Sequence, residues 1–218
     1  MEICMVRLLI VRHGLSVTNK DKVYTGHRDV LLAPLGHRQA EAACRYIMEN
    51  YKVDAVYASD LCRAKDTVRP LAERLSLPLQ TRADLREIAL GDWEGKTYEE
   101  VKVLYPKTWE MLKTARHLAR YEGGESYAEA YARARKAFLE IAGENEGRTV
   151  AIASHGGVIR LFLSAVLGIA PEDGGKAPLI PNASLSVVEI EGDAMRLIFA
   201  GEEGYLANLT EEVDGYLH

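Results

Sequence analysis

The sequence predicts a three-layer α/β/α fold, with helices on both faces of a mostly parallel sheet that also contains an antiparallel strand. Strand-like and helix-like segments alternate along most of the chain, which is typical of parallel sheets. The first strand-like run, residues 6–11, is rich in leucine and β-branched residues, as expected for a strand buried on both faces. Two alternating runs, 184–190 and 195–200, flank Gly192-Asp193 and predict a hairpin that adds antiparallel pairing.

The first half of the chain predicts two helices and two further strands. Apolar residues recur at helical spacing within 36–51, directly before a second strand-like run at 53–58. A second helix is expected from about residue 61 to 75. The run at residues 78–81 is short, so we expect it to form an edge strand of the sheet.

The middle of the chain is predicted to be helical. Residues 97–120 have a helical pattern that Pro106 interrupts, because proline cannot continue the hydrogen bonding of a helix. Ser126 and Glu129 have the spacing of a capping box and predict that a helix over 126–142 begins there.

The last parallel strand is expected at 149–153, with a helix at 158–167 after it. No linker, repeat or low-complexity tract interrupts the chain. We therefore predict a single domain over residues 1–218, with residues 88–124 as a helical excursion from the sheet.

Composition limits the classes of function. The 218 residues include 27 Lys and Arg against 32 Asp and Glu, a net charge of −5. A chain of this charge is a poor candidate for nucleic-acid binding, which needs a basic face. A local cationic pocket inside an acidic envelope is still allowed, and it would favour a small anionic partner.

The sequence also predicts a cytoplasmic location. Its three cysteines are odd in number and widely spaced, so we expect free thiols in a reducing compartment and neither disulfides nor a zinc site. Glu2 and Arg7 interrupt the apolar run at the N-terminus, which does not have the pattern of a signal peptide. The most apolar stretch, 161–170, is too short to span a bilayer.

Candidate functional residues follow the ends of three predicted strands. Ligands of open parallel sheets bind beyond the carboxyl ends of the strands. Neighbouring strands lie about 4.8 Å apart, so side chains that follow adjacent strands converge on one small volume. The clusters at these strand ends are Arg12-His13-Gly14, Ser154-His155-Gly156-Gly157, and Ser59-Asp60 followed by Arg63 in the first turn of a helix.

This combination favours phosphoryl transfer. The planar guanidinium of arginine matches the oxygens of phosphate, and a phosphomonoester carries nearly two negative charges at neutral pH. Glycines let the backbone approach a ligand closely. A neutral imidazole can attack phosphorus with one nitrogen while an acceptor holds the other N–H. Either histidine alone would more often be an ordinary surface or structural residue, so the prediction depends on their joint occurrence with Arg63.

Four segments together resemble the histidine phosphatase superfamily, also called phosphoglycerate mutase-like. They occur in the family's order and cover essentially the whole chain. They are Leu9-Ile10-Val11-Arg12-His13-Gly14 with Asn19 following, Ser59-Asp60-Leu61-x-Arg63-Ala64-x-x-Thr67, Leu85-Arg86-Glu87-Ile88-x-Leu90-Gly91-x-Trp93-Glu94-Gly95, and Ser154-His155-Gly156-Gly157.

The resemblance implies a role for each position that matches a motif of the family. His13 would be the nucleophile, and Arg12, Arg63 and His155 would hold the phosphoryl group. Glu87 would donate a proton to the leaving alcohol and later activate water. The expected phosphate-binding positions are Ser16, Asn19, Gly26 and Gly156. The resemblance implies no metal and no cofactor, because arginines supply the positive charge.

Several positions leave alternatives open. Glu87 could instead form a surface ion pair with Arg86 or Lys96. Trp93 could belong to the core or to the mouth of the site. The segment 123–126 is more simply a helix cap than a ligand contact, and 181–184 is a turn that could face the site. His27, His37, His117 and His218 are expected to be exposed, and the acidic segment 211–214 to be a solvated terminus.

Two positions depart from the family's pattern. Leu15 follows the first motif where an acidic or amide residue is usual, and residues 31–33 read Leu-Leu-Ala where Pro-Leu-Thr is usual. Neither position carries the bond-making step, so we expect activity to survive with an altered substrate mouth.

Three functions remain in competition. A phosphatase for a small phosphorylated metabolite is favoured, on the side of the family that includes proteins like alpha-ribazole phosphatase. A cofactor-dependent phosphoglycerate mutase is the alternative, but mutases have Glu-Arg-His-Tyr-Gly where this chain has Glu87-Ile88-Ala89-Leu90-Gly91. A binding protein without catalysis is disfavoured because every core residue is present. The sequence leaves the oligomeric state open, with a homodimer as one candidate.

Overall fold

The computed structural model describes residues 4–170, 173 and 176–209 of the chain. It confirms the predicted α/β class: a mixed six-stranded sheet carries helices on both faces. The strands are β1 (Val6–Arg12), β2 (Ala55–Ser59), β3 (Leu79–Arg82), β4 (Thr149–Ser154), β5 (Leu185–Glu191) and β6 (Ala194–Glu202). The helices are α1 (Val17–Lys20), α2 (Pro34–Asn50), α3 (Cys62–Leu75), α4 (Tyr98–Leu104), α5 (Pro106–Thr114), α6 (Tyr127–Gly143) and α7 (Gly156–Val166).

The sheet has the strand order β3-β2-β4-β1-β5-β6, with β3 at one edge as predicted. Strands β3, β2, β4 and β1 run parallel to one another, whereas β5 and β6 form the predicted antiparallel hairpin beside β1. Arg12 at the end of β1 is paired in register with Ser154 at the end of β4. The two histidines that follow these residues therefore leave the sheet side by side.

Each face of the sheet packs against its own pair of helices because side chains alternate along β1. Leu8 and Ile10 point to the face that α6 and α7 cover, where Phe138 stacks on Phe162 at 4.3 Å between ring centroids. Leu9 and Val11 point to the other face, which α2 and α3 cover. Both faces are closed to water, which explains the nearly continuous apolar sequence of the strand.

The helix boundaries refine the sequence predictions. Helix α2 begins at Pro34, two residues before the predicted start, because proline fits the first helical position. Helix α7 begins at Gly156 rather than at residue 158. Pro106 separates α4 from α5 and occupies the first position of α5. The capping box of Ser126 and Glu129 begins α6, as predicted.

One helix was not predicted from the sequence. Helix α1 has only four residues, too few for a periodic apolar pattern. It begins at a capping box in which the Ser16 hydroxyl accepts from the Asn19 N–H, while the Asn19 side chain accepts from the Ser16 N–H. This turn fixes the segment directly after Gly14.

Between β3 and α6 lie α4, α5 and three short 3₁₀ turns, Ala83–Leu85, Gly91–Trp93 and Arg116–Leu118. Trp93 belongs to the core rather than to the mouth of the site, since it is fully buried and its indole N–H donates to Glu122 at 2.7 Å. No disulfide joins Cys4, Cys44 or Cys62. Among the described residues, no helix has the length and apolar character needed to cross a membrane.

Candidate active site

His13 and His155 lie next to each other at the carboxyl ends of β1 and β4. Their ring centroids are 5.2 Å apart and the ring planes are inclined by 56°. Both side chains are buried, His155 completely and His13 with 4% of its surface exposed. The convergence that the sequence predicted is therefore present in the structure.

The His13 ring is held in the orientation that a nucleophile needs. Its Nδ1 lies 2.8 Å from the carbonyl oxygen of Gly14, so Nδ1 carries the proton and donates it to that carbonyl. The lone pair of a neutral ring is then on Nε2. Burial, together with the positive charges of Arg12 and Arg63, holds the pKa of His13 well below its usual value. The ring is therefore neutral at physiological pH.

His155 has no hydrogen-bond partner for either ring nitrogen among the described residues. Burial and the nearby Arg63 and His13 hold its pKa well below the usual value. A fully buried imidazole with two unpartnered nitrogens is unusual, because buried polar groups are nearly always hydrogen-bonded. A bound oxyanion would give one nitrogen a partner.

Two guanidinium groups flank the histidines, one fully buried and one partly buried. Arg63 is 1% exposed and donates from Nη1 to the carbonyl of Arg28 and from Nη2 to the carbonyl of Gly26, each at 2.8 Å. Arg12 donates from Nη1 to the carbonyl of Ile180 at 2.7 Å. The Nε atoms of both side chains are buried without a partner among the described residues. Burial lowers the pKa of both groups.

Neither guanidinium forms an ion pair within the described part of the chain. The charge of Glu87 acts on both arginines from beyond ion-pair distance. Arg63 in particular is fully buried, and buried charges are normally paired. A dianion between Arg12 and Arg63 would provide the missing negative charge.

The carboxylate of Glu87, a half-buried residue, contacts the first turn of α7. Its carboxylate accepts N–H bonds from Ile88 at 2.9 Å, Gly157 at 3.1 Å and Val158 at 3.2 Å. A Cβ atom on Gly157 would lie 2.4 Å from Oε1 of this carboxylate, so the carboxylate could keep this position only beside a glycine. The positive end of the helix dipole favours a negative group at this place.

The alternative of a surface ion pair for Glu87 is wrong. Arg86 binds the carboxylate of Asp60 through two hydrogen bonds of 2.6 Å, and Lys96 donates to the carbonyl of Asp92. Both candidate cations are therefore engaged elsewhere, while Glu87 lines the same cleft as His13.

The four predicted phosphate-binding positions occupy different places. Asn19 and Gly26 line the cleft with His13, and Gly156 lines an adjoining cavity, where a Cβ atom added to it would lie 3.1 Å from Nε of Arg12. Ser16 is fully buried, and its hydroxyl donates to Asn19 Oδ1 at 2.9 Å. Asn19 and Gly26 therefore line the cleft and Gly156 lines the adjoining cavity, whereas Ser16 lines neither and contacts Asn19 instead.

The cleft encloses about 230 Å³. Tyr24, Tyr98 and Tyr121 form its aromatic side, and the Tyr24 and Tyr98 ring centroids are 4.6 Å apart. Ile88 and Leu90 form part of an apolar wall. The volume suits a phosphoryl group with a small organic substituent.

Sequence reasoning missed a group of side chains that hold the backbone of the site. Arg133 on α6 donates from Nη1 to the carbonyls of Asp84 and Arg86 at 2.8 Å each, and from Nη2 to the carbonyl of Glu87 at 3.1 Å. It also binds Glu125 through two hydrogen bonds of 2.7 Å, and Glu125 accepts from the Ala89 N–H at 2.9 Å. We refer to Arg133 and Glu125 as the clamp of the acid segment, residues 84–89.

Two further polar contacts support the site from behind. The Asn182 amide donates to the carbonyl of His13 at 3.0 Å and to Asn19 Oδ1 at 3.2 Å. The Asp29 carboxylate accepts from the Cys62 N–H at 2.7 Å and so caps α3, the helix that carries Arg63. The only signal in the sequence was the turn at 181–184, which we expected could face the site.

The predicted exposure of two histidines is wrong. His27 is half-buried because its Nε2 contacts the carbonyl of Glu87 at 2.7 Å, and His117 is half-buried with Nδ1 enclosed. His37 is exposed as predicted. His218 and the acidic segment 211–214 lie outside the described residues. Within the described ranges, no group of three acidic, histidine or cysteine side chains could hold a metal ion.

Comparison with known proteins agrees with this geometry. Residues 8–202 match the family model described as histidine phosphatase superfamily (branch 1). Phosphoglycerate mutase-like protein 4 of Arabidopsis thaliana is 31% identical over 91% of this chain and 86% of its own. Glucosyl-3-phosphoglycerate phosphatase of Mycolicibacterium vanbaalenii is 31% identical over 95% of this chain and 92% of its own.

A solved structure shares the whole architecture. Bacillus stearothermophilus YhfR superposes with a TM-score of 0.87 and 27% identity, over 92% of this chain and 99% of that one. The family resemblance that the four motifs predicted is thereby confirmed.

Proposed function

The chain belongs to the histidine phosphatase superfamily, and on this premise we propose that it hydrolyses a small phosphomonoester through a phosphohistidine at His13. The observation that carries the proposal is the oriented, neutral His13 ring beside the guanidinium groups of Arg12 and Arg63, neither of which forms an ion pair among the described residues. The family's phosphatase members, such as the mycolicibacterial relative, support hydrolysis as the reaction class.

In the first step, His13 Nε2 attacks phosphorus and a P–N bond forms. The bond between phosphorus and the ester oxygen breaks, and that oxygen takes a proton from Glu87. The alcohol leaves and Glu87 is a carboxylate. Proton transfer of this kind contributes about 10²- to 10⁴-fold to rate.

In the second step, water attacks the phosphohistidine while Glu87 removes one of its protons. The P–N bond breaks and its electrons return to Nε2. Inorganic phosphate leaves, and Glu87 is protonated for the next turnover. Arg12, Arg63 and His155 contact the equatorial oxygens in both steps, where fixed charges and dipoles supply most of the stabilisation.

This assignment needs no metal ion. Arg12 and Arg63 together carry the charge that would neutralise a phosphoryl dianion, and their positions are set before the substrate binds. We propose a metal-independent enzyme of the acid-phosphatase type, acting on a small phosphorylated metabolite rather than on nucleic acid or a membrane component. The three cysteines without disulfides support a cytoplasmic location.

The cleft wall favours hydrolysis over mutase activity. A mutase returns the phosphoryl group to a bound sugar acid, and the family's mutases carry extra cations directly after the acidic residue. Here Ile88 and Leu90 follow Glu87, and both are buried apolar side chains on that wall. A binding protein without catalysis would not need Arg12, His13, Arg63 and Glu87 together at one cleft, with His155 packed against His13.

The decisive experiment measures hydrolysis of p-nitrophenyl phosphate in the presence of EDTA. We expect turnover by the unaltered protein, no detectable turnover by His13→Ala, and unchanged turnover by the control His37→Ala, which removes an exposed histidine. Brief incubation with phosphate-labelled substrate should yield an acid-labile, base-stable phosphoprotein. Turnover that persists in His13→Ala would overturn the nucleophile, and turnover that requires added metal would overturn the metal-independent mechanism.

A further inference from the structure

A second cavity adjoins the cleft that contains His13. It encloses about 310 Å³ and shares four wall residues with that cleft, Tyr24, Ile88, Tyr121 and Gly157. The leaving group of a substrate whose phosphoryl group is at His13 would enter this cavity if it extends past the shared residues. We call it the leaving-group cavity.

The leaving-group cavity combines an apolar wall with positive charge. Trp109, Leu112 and Leu161 provide apolar surface, and Lys113, Arg116 and Arg160 provide the cations. None of the residues that line it, within the described part of the chain, is an Asp or Glu. The composition suits an organic body that carries a negative group.

The three cations differ in the contacts that they make with neighbouring residues. Lys113 contacts Glu110 at 3.3 Å and lies 5.4 Å from the centre of the Trp109 ring. Arg160 donates to the carbonyls of Ala177 and Pro178 at 3.0 and 3.1 Å. Arg116 donates from Nε to the carbonyl of Leu112 at 3.2 Å, and no carboxylate of the described residues forms an ion pair with it.

Two further features of the cavity wall favour a negative group there. Burial, and after it the charge of Arg116, lowers the pKa of Arg160, so two like charges act on each other at this wall. The indole N–H of Trp109 is buried without a hydrogen-bond acceptor among the described residues. Buried donors are rarely left in this state when no ligand uses them.

We infer that the leaving-group cavity binds a second anionic group of the substrate, a carboxylate or a phosphate, with Arg116 as the residue that determines this specificity. The substrate is then a phosphomonoester whose alcohol has an apolar segment between the ester oxygen and the second anion. The inference rests on the proposed function for the position of the phosphoryl group. The two Nη groups of Arg116, which have no hydrogen-bond partner among the described residues, can bind an oxyanion through two parallel hydrogen bonds.

The test uses phosphonates, which bind but cannot be hydrolysed, so that it does not depend on turnover. Calorimetric titration compares benzylphosphonate with 4-carboxybenzylphosphonate and with the 1,4-xylylene bisphosphonate. We expect the unaltered protein to bind one or both doubly anionic compounds about tenfold or more tightly than benzylphosphonate, as a charge-assisted hydrogen bond in a partly buried site provides. The carboxylate and bisphosphonate arms distinguish the two kinds of second anion.

Arg116→Gln should reduce this preference to a ratio near one, and Arg116→Lys should retain part of it. The matched control is Arg120→Gln, which removes an exposed arginine that pairs with Glu129 and does not line the cavity. Equal affinity of the unaltered protein for all three compounds would overturn the inference, as would a preference that survives in Arg116→Gln.

The two proposals fail in different ways. A protein that hydrolyses p-nitrophenyl phosphate but shows no preference among the phosphonates retains the proposed function and loses the anion site. A protein that shows the Arg116-dependent preference without hydrolysing any phosphomonoester retains the anion site and loses the proposed phosphatase activity.

Discussion

The Nη2 group of Arg133 donates to the main-chain carbonyl of Glu87, the residue assigned as proton donor. The same carbonyl is contacted by Nε2 of His27 at 2.7 Å, and Glu125 holds the neighbouring Ala89 N–H. A side chain on one helix thus fixes the backbone from which the Glu87 carboxyl group projects. The clamp determines where the acid lies without touching the substrate.

Removal of the clamp should impair proton donation more than phosphoryl binding. We predict that Arg133→Ala lowers kcat/KM for an alkyl phosphate about tenfold or more beyond its effect on p-nitrophenyl phosphate. The reason is that an aryl leaving group needs little protonation, whereas an alkoxide depends on the acid. The ratio of the two kcat/KM values is the measurement.

The control for this experiment is Arg135→Ala on the exposed side of the same helix. A purely structural role for Arg133 would reduce both activities in parallel and lower the melting temperature. Parallel losses would therefore argue against a positioning role, and Glu125→Gln should reproduce the Arg133→Ala leaving-group pattern if the clamp acts as a unit.

A methyl group at Gly157 should disable the acid directly. The added Cβ would collide with Oε1 of Glu87, and Ile88 Cδ1 would lie only 3.0 Å away. We predict that Gly157→Ala lowers kcat on alkyl phosphates on the order of 10²-fold, as a misplacement of about 1 Å does in other active sites. Steady-state kinetics give the value.

Gly143→Ala is the matched control, because nothing lies within 4 Å of the Cβ that it adds at the end of α6. It should leave kcat unchanged and keep or slightly raise the melting temperature, since alanine is the better helix former. Full activity in Gly157→Ala would remove Glu87 from the mechanism or show that the helix shifts freely.

The buried histidines should make the fold sensitive to mild acid. The folded-state pKa values of His13 and His155 lie well below 6.5, whereas the unfolded chain has ordinary values. As the pH falls below about 6.5, these two histidines bind protons in the unfolded state but not in the folded state, so the free energy of unfolding falls. The loss is up to ~1.4 kcal/mol per pH unit for each histidine, and it is absent above that pH.

Urea unfolding at pH 7.5, 6 and 5 measures this slope. His155→Gln should reduce the slope below pH 6.5 by ~1.4 kcal/mol per pH unit, because one of the two groups no longer titrates. The exposed His37→Gln substitution removes an imidazole without removing a buried one. If the unaltered protein and His155→Gln have the same slope, His155 is not held neutral by the fold.

The start of α2 offers a gain in stability. Ala33 occupies its N-cap position, where no side chain accepts from the first turn of the helix. Ala33→Thr should raise the free energy of unfolding by about 0.5 to 2 kcal/mol, because a hydroxyl at this position accepts one of the free N–H groups. Ala33→Val has nearly the same shape without the hydroxyl and should not stabilise. Chemical denaturation of both variants distinguishes a cap from simple packing.

The residues that we propose as catalytic could be identified from the sequence, but the residues that hold them in position could not. His13, Arg63 and His155 follow buried strands, so the rule that parallel strands end at one edge was sufficient to place them together. Arg133 contacts the acid segment through the main-chain carbonyls of Asp84, Arg86 and Glu87. Every residue has such a carbonyl, so the sequence does not indicate which of them Arg133 contacts. The capping box accounted for the segment around Ser126, so the sequence offered no reason to expect that Glu125 would bind Arg133 and the Ala89 N–H.

Errors of exposure have the same origin. His27 is polar and lies in a segment without periodicity, so nothing in the sequence places it against the Glu87 carbonyl. Ser16 lies next to Asn19, as expected, but its hydroxyl caps helix α1 instead of lining the cleft. Local spacing in the sequence therefore indicates which residues lie near the site more reliably than it indicates which partners they contact.

The position of β1 in the strand order has a consequence for biosynthesis. Arg7 in this first strand pairs with Thr149 on one side and with Glu189 on the other, so both partners emerge from the ribosome much later. Strand β2, by contrast, finds β3 within a short stretch of chain. We expect a nascent chain to keep its earliest apolar strand without a partner until β4 is made, which is the interval in which chaperones would protect it.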